Sequence, residues 1–181
     1  MVRLTPLWWF LLLTAAIGLV PLHAQKLKPT PQGSIYAETD ERFEHSTALP
    51  NAVLRVILHT PEAKGAMDLA NDSERRRIAE YFRTTEVRLS DSGEVDLLVR
   101  GSPPMRGANV GWFWFVRSPN NNPKIVLFAI GDSVELLRSK RQGLKDVRSV
   151  HTSPVYTHIC IYRFSGNIYR LSKETWDKDA H

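Results

Sequence analysis

Apolar positions change their period once along this chain. After Pro50, the residues Val53, Leu54, Ile57 and Leu58 recur at the i, i+3 and i+4 spacing of one helix face, and Pro50 suits a helix start. The same residues also fit a strand. A second helix is predicted over 74–83, where Ile78, Tyr81 and Phe82 share a face and Arg75, Arg76 and Glu80 lie elsewhere on the wheel. Asn71 or Asp72 supplies its cap. From Glu86 onward short apolar runs are broken by turn residues such as Asp91-Ser92-Gly93, Gly131-Asp132-Ser133 and Ser165-Gly166-Asn167. Eight strands are predicted, at 86–89, 95–100, 112–117, 124–130, 134–138, 147–152, 155–164 and 168–171. The connections are too short for parallel crossovers, so the pairing is antiparallel. The expected fold class is α+β, with N-terminal helices followed by a twisted antiparallel meander of about eight strands.

The start of the chain reads differently. Residues 1–6 carry Arg3 and no acid, 7–20 hold no charge, and Leu22-His23-Ala24 offers a small residue before Gln25. That is the layout of a secretory signal peptide over 1–24, and the apolar run meets Pro21 before reaching the roughly 20 residues a membrane span needs. The expectation is an exported protein, periplasmic or extracellular, without a stable membrane anchor. Residues 25–49, with Ile35, Tyr36 and Phe43 isolated among polar neighbours, read as an extended N-terminal arm, and 50–181 as a single α+β domain. A domain near 150 residues buries roughly 70% of its unfolded surface, enough to fold without disulfides. Cys160 is the only cysteine, which excludes an internal disulfide, a CxxC redox pair and a cysteine-rich zinc site. With 24 Lys plus Arg against 19 Asp plus Glu, the net charge of +5 is too small and dispersed to argue for nucleic acid.

Two segments look alike. Gly93-Glu94-Val95-Asp96-Leu97 and Gly143-Leu144-Lys145-Asp146-Val147 are each followed by a strand, a loop and an aromatic strand, a pattern that suggests a duplicated β-unit. The stretch Ser90-Asp91-Ser92-Gly93-Glu94-Val95-Asp96-Leu97-Leu98-Val99 resembles the start of an FG-GAP or VCBS-type repeat, and the layout resembles uncharacterised secreted bacterial proteins with such repeats. The resemblance implies an acidic calcium loop ahead of a strand. Counting back from Gly93 puts Arg88, Ser90 and Ser92 at the ligand positions, so the residues themselves read as a turn, with Asp96 and Asp146 as backbone anchors.

Gly131-Asp132-Ser133-Val134 follows an apolar strand and is similar to the nucleophile block of GDSL-type esterases, which implies a hydrolase with Ser133 as nucleophile. That chemistry needs a placed base and an oxyanion hole, and Asp177, Asp179 and His181 do not reproduce the family's late Asp-x-x-His. His158 and Cys160 share a strand face with Tyr156 and Tyr162, and His151 lies nearby; they read as a buried thiol and a hydrogen-bonded histidine, since no third metal ligand stands at a usual spacing. Arg75, Arg76 and Arg77 read as a solvated face, and Arg138, Lys140, Arg141, Lys145 and Arg148 as a solvated hairpin.

The loop 101–111 (GSPPMRGANVG) is long for a compact domain and leads into Trp112, Phe113, Trp114 and Phe115, a strand aromatic on both faces. Arg106, Asn109, Trp112 and Trp114 are the candidate binding residues. The expected function is a secreted, non-catalytic recognition or inhibitor-like domain for a protein or glycan, with a small secreted hydrolase using Ser133 as the alternative. No cofactor or metal is expected.

Overall fold

The computed structural model describes residues 35–37, 39–43, 48–108, 110–118 and 121–178. The expected leader, most of the N-terminal arm, Asn109, Asp179 and His181 lie outside the described residues.

Strands β1 (Ile35–Ala37), β2 (Phe82–Val87), β3 (Asp96–Gly101), β4 (Gly111–Arg117), β5 (Lys124–Gly131), β6 (Ser133–Arg141), β7 (Leu144–Thr152), β8 (Thr157–Ser165) and β9 (Ile168–Asp177) carry most of the chain. Three helices, α1 (Asn51–Leu58), α2 (Pro61–Leu69) and α3 (Asp72–Arg76), stand between β1 and β2. The fold is therefore mostly β with some helices. All paired strands run antiparallel, but they form two sheets instead of one meander, in the orders β2-β3-β4-β5 and β1-β6-β7-β8-β9.

The chain leaves one sheet for the other at Asp132, between β5 and β6. A Cβ on Gly131 would sit 2.7 Å from the Val150 carbonyl oxygen, so the close approach at this corner requires glycine. Within the second sheet, β6 and β7 are joined by Gln142 and Gly143, both at positive φ (52° and 78°), the backbone that a two-residue hairpin turn demands.

Strand β4 explains the layering. Phe113 and Phe115 point into a core between the sheets, with Leu98, Val87, Leu136, Val147 and Phe164. Trp114 and Val116 point the other way, into a second core closed by Val53, Ile57, Ala63 and Ala66 of α1 and α2. An aromatic-on-both-faces strand is what a sheet sandwiched between a sheet and a helical layer needs.

The helices depart from expectation in two ways. Residues 74–83 do not form one helix: α3 stops at Arg76, Ile78–Tyr81 makes a 3-10 turn, and Phe82 opens β2, where it pairs with Gly101. Sheet pairing and burial of Phe82 and Thr84 override the local helical pattern. The start is as expected, since Asn71 and Glu74 form a reciprocal capping box. Helix α2, not foreseen, starts at Thr60, whose hydroxyl accepts from the Ala63 amide, with Pro61 in the first turn. Two residues of the expected arm are core residues, each only 1% exposed: Tyr36 lies in β1, which pairs with β6, and Phe43 ends the 3-10 turn Glu41–Phe43.

Candidate functional site

The long loop before β4 is folded inward. Met105 is fully buried in the core under the helices, its amide donates to the Ser102 carbonyl, and a Cβ on Gly101 would collide with the Met105 carbonyl at 1.6 Å. Of the residues singled out there, Trp114 is completely buried against Phe82 and Phe128 and presents no surface. Trp112 is half-buried, edge-on to both Trp114 and Phe128. Arg106 is half-buried, and Asn109 lies outside the described residues.

Among the described residues, Ser133 has no hydrogen-bonded base beside it. It opens β6 opposite Val150, and among the described residues its hydroxyl bonds to neither a histidine nor an acid. The acid beside it, Asp132, is engaged elsewhere: one carboxylate oxygen lies 3.0 Å from His151 Nδ1, and the other accepts the Thr152 amide at 2.6 Å.

That Asp132–His151 contact begins a continuous row of polar and aromatic side chains across one end of the second sheet. His151 meets the Tyr156 ring edge-on at 6.1 Å, and Tyr156 tilts against Trp176 at 4.9 Å. Trp176 then stacks on His158, with centroids 3.8 Å apart and planes 16° from parallel. The strand register makes this row. His151 pairs with His158 and His158 with Trp176, so β7, β8 and β9 each place one ring on the same face. Trp176 nevertheless remains 55% exposed.

Beyond the stack the row continues into a cluster of titratable side chains. His158 Nε2 lies 2.8 Å from Glu174 Oε1 and 3.4 Å from Cys160 Sγ. Cys160 is buried, and its thiol is held above its ordinary value, chiefly by desolvation. Tyr162, hydrogen-bonded with Ser149 and Cys160, is pushed up to about 12, again mainly by burial. Both groups are therefore neutral at physiological pH, and the thiol is not an activated nucleophile. The sequence pattern groups His158 with Cys160 but does not bring in Glu174 or Trp176. A signal for them exists in principle: a hairpin turn at Gly166-Asn167 folds β9 back so that Glu174 falls opposite Cys160, though the bulge near Ile161 shifts the count by one residue.

The acidic loop that resembles a repeat motif is satisfied by cations of the chain. Asp91 pairs with Lys140, and Glu94 and Asp96 with Arg117; Asp91, Glu94, Lys140 and Arg117 line a cavity of about 540 Å³ together with Gln142, Leu144 and Phe164. Asp96 also accepts the Leu89 amide, the anchoring role read from its turn. No described helix is long and apolar enough to cross a membrane. The chain matches no protein-family model, and no curated protein or solved structure matches it.

Proposed function

We propose that this protein is an exported, non-catalytic recognition domain that binds a glycan on the aromatic ledge formed by Tyr156, Trp176 and His158. The observation that carries the reading is Trp176 itself: an indole more than half exposed, yet held by stacking on His158 and by the Tyr156 ring. An exposed ring fixed in place offers apolar area without an ordering cost on binding, and it is the type of side chain that dominates recognition surfaces. Around it stand Glu174, His151 and Asp132, acceptors and donors at the rim, as a sugar with apolar faces and a hydroxylated edge requires. A protein partner is the second occupant of such a surface. The loop residues Arg106 and Trp112 remain candidates for a second contact.

The hydrolase alternative finds little support, because a serine nucleophile needs a hydrogen-bonded base and the nearest acid–histidine pair, Asp132 and His151, is turned to the Thr152 amide and Tyr156. Export is supported by the charge and hydropathy layout of residues 1–24. Titration of the protein's tryptophan emission with a panel of neutral oligosaccharides tests the binding reading. Saturable change that Trp176→Ala abolishes, in a variant of unchanged circular dichroism, supports it. A flat response across the panel counts against a glycan, and terminal sequencing that finds Met1 retained counts against export.

A further inference from the structure

The three donor atoms at the end of the row converge on one point. His158 Nε2, Cys160 Sγ and Glu174 Oε1 belong to three side chains whose ligand atoms all lie within 4.8 Å of one another. The two shorter separations are 2.8 Å and 3.4 Å. For comparison, a tetrahedral zinc with bonds near 2.0–2.3 Å spaces its ligands about 3.3–3.6 Å apart. Coordination therefore requires the imidazole nitrogen and the carboxylate oxygen to part by about 0.5 Å, while the nitrogen–sulfur separation already fits.

Within the triangle the imidazole is shared between two partners, while Tyr162 and Ser149 also bond the Cys160 sulfur from outside it. His158 Nε2 faces both the carboxylate and the sulfur, and it can carry at most one proton, so a good hydrogen bond reaches only one of the two. A cation at the centre of the triangle serves all three. The mixture of thiol, imidazole and carboxylate fits a borderline-soft divalent ion better than calcium or magnesium, which take oxygen ligands alone.

The surroundings act as an outer shell. Trp176 stacks flat on the imidazole and fixes its plane, and Ser149 stands across from Cys160 in the β7–β8 register. Adjacent strands β8 and β9 supply all three donors, so the site is built on paired backbone and not on a loop. Glu174 and His158 are part-exposed (side chains 44% and 24%), which gives an ion a route in, while the sulfur lies beneath them.

We propose that His158, Cys160 and Glu174 form a site for one zinc-class divalent transition-metal ion, with a fourth position left to solvent or to an external ligand. The site shares His158 with the aromatic ledge and Glu174 with its rim, and it is tested by metal titration without any sugar present. On coordination the thiol gives its proton to solvent and the sulfur–metal bond replaces it; no redox partner is involved.

The test uses the full mature chain, stripped with chelator and titrated with zinc chloride against a chromophoric chelator, and separately with cobalt chloride. The expected result is one ion per chain, a cobalt spectrum with the intensity of a tetrahedral site and a thiolate-to-cobalt charge-transfer band, and affinity lowered about 100-fold or more by Cys160→Ser or His158→Ala. Glu174→Gln should weaken binding while leaving the thiolate band in place. Circular dichroism checks that each variant folds; were Cys160→Ser to misfold, the wild-type charge-transfer band decides alone. Binding without a thiolate band, binding unchanged by His158→Ala, or no stoichiometric binding would overturn the proposal.

Discussion

Asp96 and Asp146 stand at equivalent points of the two sheets. Asp96 lies at the start of β3 with its Oδ1 3.3 Å from Arg117 Nε of β4, and Asp146 lies near the start of β7 with its Oδ2 3.4 Å from Arg163 Nε of β8. Each is followed at once by a cross-strand core pair, Leu97 with Val116 and Val147 with Tyr162. Each also accepts from a group seven residues upstream, the Leu89 amide in one sheet and the Ser139 hydroxyl in the other. Gly93 and Gly143, at φ of 85° and 78°, precede them. The meanders β2–β5 and β6–β9 thus share one Asp–Arg arrangement, and the Lys145 amide of the second donates to the Leu89 carbonyl that follows β2 of the first.

Burial of Asp96 has a consequence for pH. Desolvation holds its carboxyl above the ordinary value of 3.8, outweighing the neighbouring Arg117 cation. A carboxyl raised in the folded state keeps its proton where the unfolded chain releases it. It therefore contributes stability fully below pH 3.8, and that contribution is lost as pH rises through the folded value. Asp96→Asn should lack this effect, so the stability of wild type relative to Asp96→Asn should decline as pH rises above the ordinary value of 3.8 and level off once the folded value is passed. Asp96→Ala should cost a further ~1–3 kcal/mol at every pH, because the Leu89 amide loses its acceptor. Urea melts across pH check both.

Trp114 and Trp112, neighbours on one face of β4, should differ sharply. Trp114→Ala empties a fully buried site and is expected to destabilise by about 3–5 kcal/mol. Trp112→Ala removes a half-buried ring at the edge of the same cluster and should cost less than half as much. Chemical denaturation of the two variants measures the gap.

Glycine substitutions separate backbone freedom from close packing. Gly65 lies within α2, and a methyl group added there would find nothing within 4 Å, so Gly65→Ala should stabilise by roughly 0.5–1 kcal/mol. Gly101→Ala forces a methyl into the Met105 carbonyl and should destabilise by well over about 2 kcal/mol. Thermal melts rank them; equal shifts would mean that the inward fold of the 101–111 loop is wrong.

The hydroxyl of Ser133 carries no role in the proposed function. Ser133→Ala should leave oligosaccharide binding unchanged and stability within about 0.5 kcal/mol. Loss of any measured turnover in a folded variant would revive the hydrolase reading.

Strand positions are readable in the sequence because β4 through β8 each carry a short apolar run ended by Gly, Asn or Ser, and such punctuation residues bear the positive φ angles at Ser118, Asn122, Gly143 and Gly166. The separation into two sheets is not readable: Gly131-Asp132-Ser133 looks like any hairpin turn, and only the close approach to Val150 shows that it is a corner. The helix expected over 74–83 fails because Phe82 is apolar at both helical and strand spacing, and pairing with Gly101 decides between them. The ledge escapes the pattern because β9 continues to Asp177, past the expected end at residue 171, on polar residues whose one aromatic, Trp176, has no local pattern to announce it.

If Trp176, Tyr156 and His158 form the binding surface, binding must depend on the exposed indole of β9 and not on the half-buried one of β4. The titration of tryptophan emission with the neutral oligosaccharide panel decides this when run in parallel on wild type, Trp176→Ala and Trp112→Phe. Saturable binding is expected to survive in Trp112→Phe and to fall by more than about tenfold in Trp176→Ala. Equal affinity in wild type and Trp176→Ala, or loss of binding in Trp112→Phe with the fold intact, would contradict the assignment.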